Sequence, residues 1–488
     1  MKKYLAVLFG VIFLLSFTVT AFAIHEEMPP DEAVVAKGPA KITLGGKIIV
    51  RGWFFDNVDS TASPVSTPSQ AIYTTNAYLT VDAKVSDNVR GYMELETSNK
   101  ESNNSGVLYW GTYDTKNDME LKFRQLWLQY TGSGLGVPAG IKVGHMPIAL
   151  GEKIFLNNER FGDDAILVWI DPTKEMHLLA GTAKIVDSNS TNANIGFINH
   201  AQDLDADVLL ATYMWDKDNT VGANFTWAHS DGNVPSLSTV IPNVDNLNFY
   251  NIGLHANGKI SALTYAAEGD YQFGKVKGLV DAPLSDTGLV SGQDGKFQAW
   301  AVFAKVGFML DPINLRASFA MGSGDNGSDG DKIKEFQAMQ GTDATGAIAR
   351  FPHYTLIYER LVRTAANEAL LTTNLGGNIR TTGIANTTVF NLGVDVNPTP
   401  EVSVSLDGWI LRATKVGLWE EAVGDSVSKK VGSEVDAKMN YKLAKNLSYF
   451  VEAGVFFPGA FYRDTDPLFT DASKKTTAMA VHGLVLTF

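Results

Sequence analysis

The residue types that could carry a reaction are present in this sequence, but not at the spacings a reaction needs. His145, His177, His200, His229, His255, His353 and His482 are scattered, and no HExxH pair sets two imidazoles on one helical turn for a zinc ion. No G-x-S-x-G elbow presents a nucleophilic serine. The stretch Asp325-Asn326-Gly327-Ser328-Asp329-Gly330-Asp331 gathers carboxylates around glycine turns, as a hard cation requires, but Gly327 and Phe336 occupy the third and twelfth positions of the EF-hand template. It reads as a solvated loop. Gly132-Ser133-Gly134-Leu135-Gly136 has no following helix to receive a phosphate and reads as a turn. Cysteine is absent, which excludes disulfides, thiolate metal sites and covalent haem attachment. No catalysis, cofactor or metal is expected.

What remains is charge in strict alternation with apolar side chains. From Lys41 to Phe55, Ile42, Leu44, Ile48, Val50 and Phe54 fall on one face, and Thr43, Lys47 and Arg51 on the other. Asp82 and Lys84 alternate with Val81 and Ala83, Arg90 and Glu94 with Val89, Gly91 and Met93, and Glu434, Asp436 and Lys438 with Val435, Ala437 and Met439. This is the period of strands, found along the whole chain with no long 3.6-residue pattern to oppose it. Alternation alone fits either a soluble sandwich or a membrane barrel turned inside out.

The connections decide between them. Short turns are expected at Ser86, Gly132 to Ala139, Asp171-Pro172, Asp216 to Asn219, Asn257-Gly258, Asp311-Pro312, Asn397 to Pro400 and Ala444 to Asn446. Nine longer polar segments alternate with these turns, among them Ile148 to Asp163, Ser323 to Ile384 and Pro458 to Thr476. Short turns at one end and long loops at the other describe an all-β, antiparallel, up-and-down transmembrane barrel, with 18 strands expected and 16 as the alternative. The segment Phe351 to Glu359 would add a nineteenth strand and break the parity, so it is placed inside the seventh long loop.

Residues 1–23 form a separate unit. Lys2 and Lys3, the apolar run Leu5 to Phe17 and the small-x-small site Ala21-Phe22-Ala23 read as a secretory signal. Residues 24–40 follow as a short acidic periplasmic segment, and residues 41–488 are the barrel. With a formal net charge of −13, nucleic acid is not an expected partner.

Thr477 to Phe488 places Ala480, Leu484, Leu486 and Phe488 on one face and ends on an aromatic residue, as outer-membrane barrels of Gram-negative bacteria do. Two further patches are similar to the alginate-export family and its porin relatives. GIKVGHMPIALGEKIFLNNERFGDDAILVWID, Gly140 to Asp171, resembles that family's strand, Gly-rich step and inward loop, and VGSEVDAKMNYKLAKNLSYFVEAGVFFPGAFY, Val431 to Tyr462, resembles its penultimate hairpin. The resemblance implies a protein of the outer membrane, in contact with lipid and lipopolysaccharide. It also implies Phe488 as a signal to the barrel assembly machinery, and it allows a homo-oligomer.

A barrel this wide encloses water. Its inner face is expected to carry Lys47, Arg51, Asp82, Lys84, Arg90, Glu94, Lys122, Arg124, Glu268, Asp270, Arg316, Asp407, Glu434, Asp436 and Lys438. Gly151 to Asp164 is the first segment expected to fold inward and constrict it, through Glu152, Lys153, Glu159, Arg160, Asp163 and Asp164. Four acids against two bases in that loop predict weak cation preference. The expected function is a porin passing small hydrophilic solutes and ions. The alternatives are a polysaccharide channel of the alginate-export kind and a sheath around an electron-transfer partner such as a multihaem cytochrome.

Overall fold

The structure is a computed structural model and describes residues 33–37, 40–57, 69–99, 108–110, 119–159, 162–186, 204–230, 244–279, 294–326, 330–340, 355–358, 384–465 and 475–488. The secretory signal and most of the acidic segment after it lie outside these residues. In chain order the strands are β1 (Ala33–Lys37), β2 (Ala40–Asp56), β3 (Ser69–Lys84), β4 (Val89–Asn99), β5 (Leu108–Tyr109), β6 (Met119–Gly134), β7 (Val137–Met146) and β8 (Leu156–Asn157). They continue with β9 (Asp163–Ile170), β10 (Met176–Val186), β11 (Leu204–Asp216), β12 (Asn219–Ser230), β13 (Val244–Ile260), β14 (Leu263–Leu279), β15 (Gly295–Leu310) and β16 (Ile313–Gly322). The last are β17 (Lys332–Ile333), β18 (Met339–Gln340), β19 (Thr387–Thr399), β20 (Val402–Ala413), β21 (Lys430–Ala444), β22 (Leu447–Pro458) and β23 (Thr477–Thr487).

The main sheet has 21 strands, of which β1, β5 and β17 are short additions, so 18 strands make the wall. Each pairs antiparallel with its sequence neighbour in the wall, and β23 returns to β2, with Lys47 opposite Thr487 and Asp56 opposite Ala478. The barrel is closed and leaves no open edge. Among the described residues no helix is long and apolar enough to cross a membrane; the strands do the crossing.

Alternation sets what each face meets. Leu128 (69% exposed), Leu254 (62%) and Leu392 (73%) stand outward with their apolar neighbours on every side, a surface that only lipid would cover. Their strand neighbours point into the lumen. The short turns fall where the sequence places them, with one shift. β13 runs through Asn257 and Gly258, and the chain reverses at Ser261, whose φ is 56°. Gly258 serves close approach instead of a turn, because a Cβ there would lie 2.0 Å from the Asn219 side-chain oxygen.

The seam between the first and last wall strands is also tightly fitted. Gly46 and Phe488 exchange backbone hydrogen bonds of 2.8 and 3.0 Å, and the Phe488 ring lies across Gly46. A Cβ at Gly46 would come within 2.4 Å of that ring and 2.7 Å of the Tyr78 carbonyl oxygen. Gly46→Val is therefore expected to cost about 1–3 kcal/mol of overpacking strain. The measurement is the fraction of protein migrating as folded on unboiled gels, and an undiminished fraction would mean the seam can relax. We propose that Phe488 also serves assembly: Phe488→Ala should lower the folded amount while export continues.

Candidate functional site

The site is the lumen, and it is built by loops that turn inward. After Met146 the chain leaves the wall and doubles back on itself, with Leu150 N–H donating to the Leu156 carbonyl (3.1 Å) and Asn158 N–H to the Ile148 carbonyl (2.8 Å). Met146, Leu150, Ile154, Phe155 and Leu156 are buried, which anchors this apolar segment inside the barrel. Its tip reaches past β10, β11 and β12. The Glu152 N–H donates to the Glu268 carboxylate on β14, and Asn257 Nδ2 on β13 donates to Glu152 Oε1 at 2.7 Å. On the return, Arg124 Nη2 on β6 donates to the Glu159 carbonyl at 3.1 Å. Lys153 and Glu159 pair within the loop at 2.7 Å.

One of the loop's charges stands differently from the sequence expectation. Asp164 pairs across β7 and β9 with His145, next to the outward pair Val143 and Ile166, so its side chain, 73% exposed, is on the outer surface at 2.9 Å from His145 Nδ1. The constriction therefore loses Asp164, because β9 has already begun and strand alternation turns that position outward. Arg160 lies outside the described residues. Asp163 points inward and accepts from Asn158 Nδ2.

A second inward segment comes from the long loop after β16. β18 pairs parallel with β8, placing Met339 opposite Leu156 and Gln340 opposite Asn157, so the two inward segments hold one another inside the lumen. Gln272 on β14 bonds both backbone groups of Gln337, at 2.7 and 2.8 Å. Phe336, Ile333, Phe155, Phe249 and Phe297 fill the space between segment and wall. This explains why β15 is apolar on both faces: Phe297, Ala299, Ala301 and Phe303 lie under the inward segments, and Trp300 and Val302 face out. Asp325 accepts from Lys334 N–H and Asp331 pairs with Lys296, so these acids of the glycine-rich loop turn to separate partners.

A third piece, residues 355–358, is the part of Phe351 to Glu359 that the structure describes. It is not a strand, as the parity of the wall requires. Ile357 and Tyr358 donate their backbone N–H groups to the two oxygens of Glu434 at 2.6 and 2.8 Å, and Leu356 donates to Asp436 at 3.1 Å. Glu434 and Asp436 are 0% and 1% exposed, and Glu268 and Asp270 are 3% and 4%. The sequence expectation that these four line an open pore is corrected accordingly: they face inward but are buried, with loop backbone bonded to Glu268, Glu434 and Asp436 and the Asn251 amide bonded to Asp270. A carboxylate beneath a strapped segment is an acceptor for backbone amides, which are otherwise costly to bury.

The remaining residues expected on the inner face point inward, but Glu94 (6% exposed) and Asp407 (5%) are buried beneath Arg124 and Arg316 and do not line an open pore. Arg90 and Asp82 form a two-bond pair at 2.8 and 2.7 Å, and Arg124 pairs with Glu94, which also accepts from Gln125. Arg51 donates to Asn76 at 2.7 Å, Lys47 is opposite Tyr78, and Lys122 is opposite Glu96. Lys84 leans to the short turn, where its hydrogen bond holds the Asp87 carboxyl below its ordinary value. Arg316 joins Asp407 and Asp395, and Lys438 follows Asp436 on the inner face of β21. Sequence reasoning missed Lys142, whose ammonium is 3.9 Å from the Trp127 ring centroid, as well as Glu96 and Asp395. Lys142 alternates with Ile141 and Val143, a signal of the same kind that identified Arg90.

The lumen is thus divided. The inward segments lie against the wall from β13 to β15 and at β21, and the inner faces of β2, β3, β4, β6 and β7 keep more of their charged side chains open, with Arg90 and Asp82 at 45% and 34% side-chain exposure. Such an arrangement can pass and sort dissolved solutes. Among the described residues no group of three His, Cys, Asp or Glu could hold a metal ion.

Comparison with known proteins agrees with this architecture. The family model described as alginate export matches residues 41–473. Among solved structures, Pseudomonas aeruginosa OccK8 (OprE) aligns at 10% identity over 91% of this chain and 98% of that one, with a TM-score of 0.51. Pseudomonas aeruginosa OccK2 (OpdF) gives the same figures, and OccK1 (OpdK) of that organism gives 9%, 91%, 98% and 0.50. At such identity the likeness is one of fold: a closed, 18-strand outer-membrane barrel. No curated protein matches the chain.

Proposed function

Since the chain belongs to the alginate export family, we propose that it is an outer-membrane channel for passive diffusion of small hydrophilic solutes, with its path along the inner faces of β2 to β7. The observation that supports this is the uneven cover of the lumen. Glu268, Glu434 and Asp436 accept from the backbone of the inward segments and Asp270 lies buried beside Glu268, so all four are shielded from a passing ion. On the β2 to β7 side are Lys47, Arg51, Lys84, Arg90, Lys122, Arg124 and Lys142 with the half-exposed Asp82, while Glu94 and Glu96 are buried beneath their partners.

A solute on this path meets more positive than negative charge, and rings of basic side chains favour anions. The proposal therefore reverses the cation preference predicted from the loop's sequence, which counted the outward-facing Asp164. In planar bilayers under a salt gradient, the reversal potential is expected on the anion side. Arg51→Gln, Lys122→Gln and Lys142→Gln together should move it toward cations, most strongly at low salt, where charges are screened over about 30 Å instead of about 8 Å. A cation-selective channel that the triple variant leaves unaltered would place the path elsewhere.

The family and the basic wall also favour a second reading, a channel for an anionic polysaccharide. Block of the ion current by alginate oligomers, with no block by a neutral polymer of the same length, would distinguish it from a general porin.

A further inference from the structure

On the lipid-facing side, at the end of the barrel that carries the long loops, three lysines form one row. Lys275 on β14 is directly opposite Lys296 on β15, and Lys296 is directly opposite Lys332 on β17. Their faces are fixed by their neighbours: Gln272, Val276, Phe297 and Ile333 are buried toward the lumen, so Lys275, Lys277, Lys296 and Lys332 point outward, and all four are exposed. Adjacent strands are about 4.8 Å apart, and like charges placed directly opposite one another are unfavourable unless something neutralises them. Asp331 pairs with Lys296 and also faces Lys332, and Asp294 is close to Lys296; no other acid is recorded against the row among the described residues. On the adjoining strand β13 the outward positions opposite Lys275 and Lys277 are the neutral Asn248 and Asn246.

Immediately below the row lies an aromatic belt. Trp227 stacks on Tyr250 (6.1 Å) and Tyr250 on Phe273 (5.0 Å), with Tyr271 beside Phe273 and opposite the outward-facing Trp300. Lys275 is two residues beyond Phe273, about 7 Å along the strand. Aromatic belts of this kind mark the level where hydrocarbon gives way to headgroups. The lysines therefore stand at headgroup depth in the leaflet on the long-loop side, facing lipid and not the channel.

We propose that Lys275, Lys296 and Lys332, with Lys277 above them, bind a phosphate of the phosphorylated glycolipid in the outer leaflet, the amides of Asn246 and Asn248 lying alongside. This rests on the outer-membrane reading, and folding in detergent, seen as heat-modifiable migration, tests that reading separately.

The experiment uses the full chain folded in detergent. Binding of lipid A carrying both its phosphates is measured by native mass spectrometry beside dephosphorylated lipid A and inorganic phosphate. Phosphorylated lipid A is expected to bind on the order of 100-fold more tightly than the dephosphorylated form, because each lysine near a phosphate is worth about a factor of five. Lys275→Gln, Lys296→Gln and Lys332→Gln together should abolish that difference, whereas Lys174→Gln, Lys217→Gln and Lys445→Gln at the short turns should leave it intact. If the triple variant does not fold, Lys275→Gln and Lys332→Gln alone should each cost about five-fold. Equal binding of both lipids, undiminished binding by the row variants, or equal loss in the short-turn control would overturn the proposal. So would binding of inorganic phosphate that matches the lipid's, which would leave an adventitious ion only.

Discussion

Replacing Glu434 by Gln and Asp436 by Asn is expected to raise the single-channel conductance and to make the open current noisy. The two carboxyl groups accept three backbone N–H groups from residues 356–358, and such hydrogen bonds contribute about 0.5–1.5 kcal/mol each. The isosteric amides keep the shape and lose this. The side chain introduced by Glu434→Gln offers only one acceptor oxygen, so its NH₂ group would face one of the two N–H donors that Glu434 now satisfies. Apolar packing of Ile357 and of Tyr358 on Phe456 (5.4 Å) remains, but it leaves those backbone amides buried without partners. The segment should therefore detach from the wall for part of the time. Because current follows the open cross-section, a rise of roughly two- to three-fold is expected. Unchanged conductance and noise, in a variant that still migrates as folded, would mean that residues 355–358 do not bear on the path.

The wall of this protein is legible in its sequence, and its interior much less so. Strand alternation is a local property, which is why Arg51, Arg90, Glu94 and Arg124 could be assigned to the inner face from spacing alone. Loop length is equally local, and it yields the strand number. Whether an inward charge is open to water depends on a loop far away in the chain. Glu434 is covered by residues some 76 positions earlier, and Glu268 by a loop 116 positions before it. No pattern within β14 or β21 records that cover. A trace does exist in β15, where both faces are apolar, since a strand with lipid on one side has no use for Phe297 and Phe303 on the other unless protein fills the lumen there. The misassigned Asp164 has a different origin: the sequence does not mark whether β9 starts one residue before or after it, and one residue of alternation is the difference between lumen and lipid.

Arg316→Met is expected to be the most destabilising single substitution in the wall, by about 3–5 kcal/mol, since removing one partner leaves buried charge uncompensated. The guanidinium donates to both oxygens of Asp395, at 2.7 and 2.8 Å, and to both of Asp407, at 2.9 and 3.1 Å, and so ties β16 to β19 and β20. The arginine and Asp407 side chains are 16% and 7% exposed. Asn314 and Ser405 complete the shell of Asp395, and Asn391 that of Asp407. Without the cation, two carboxylates would face one another across a gap with little water. Arg316→Lys should fall between the two, because an ammonium cannot serve both acids through a planar fork. Adding Asp395→Asn and Asp407→Asn to Arg316→Met should recover much of the loss, and urea unfolding in detergent would measure all three. If Arg316→Met unfolds at the wild-type midpoint, or if the added amides recover nothing, the cluster does not hold these strands. The same set of variants separates structure from conduction. The four bonds close the arginine and its acids on one another, so folded Arg316→Lys should keep the wild-type reversal potential, whereas neutralising Arg51, Lys122 and Lys142 on the open wall should not.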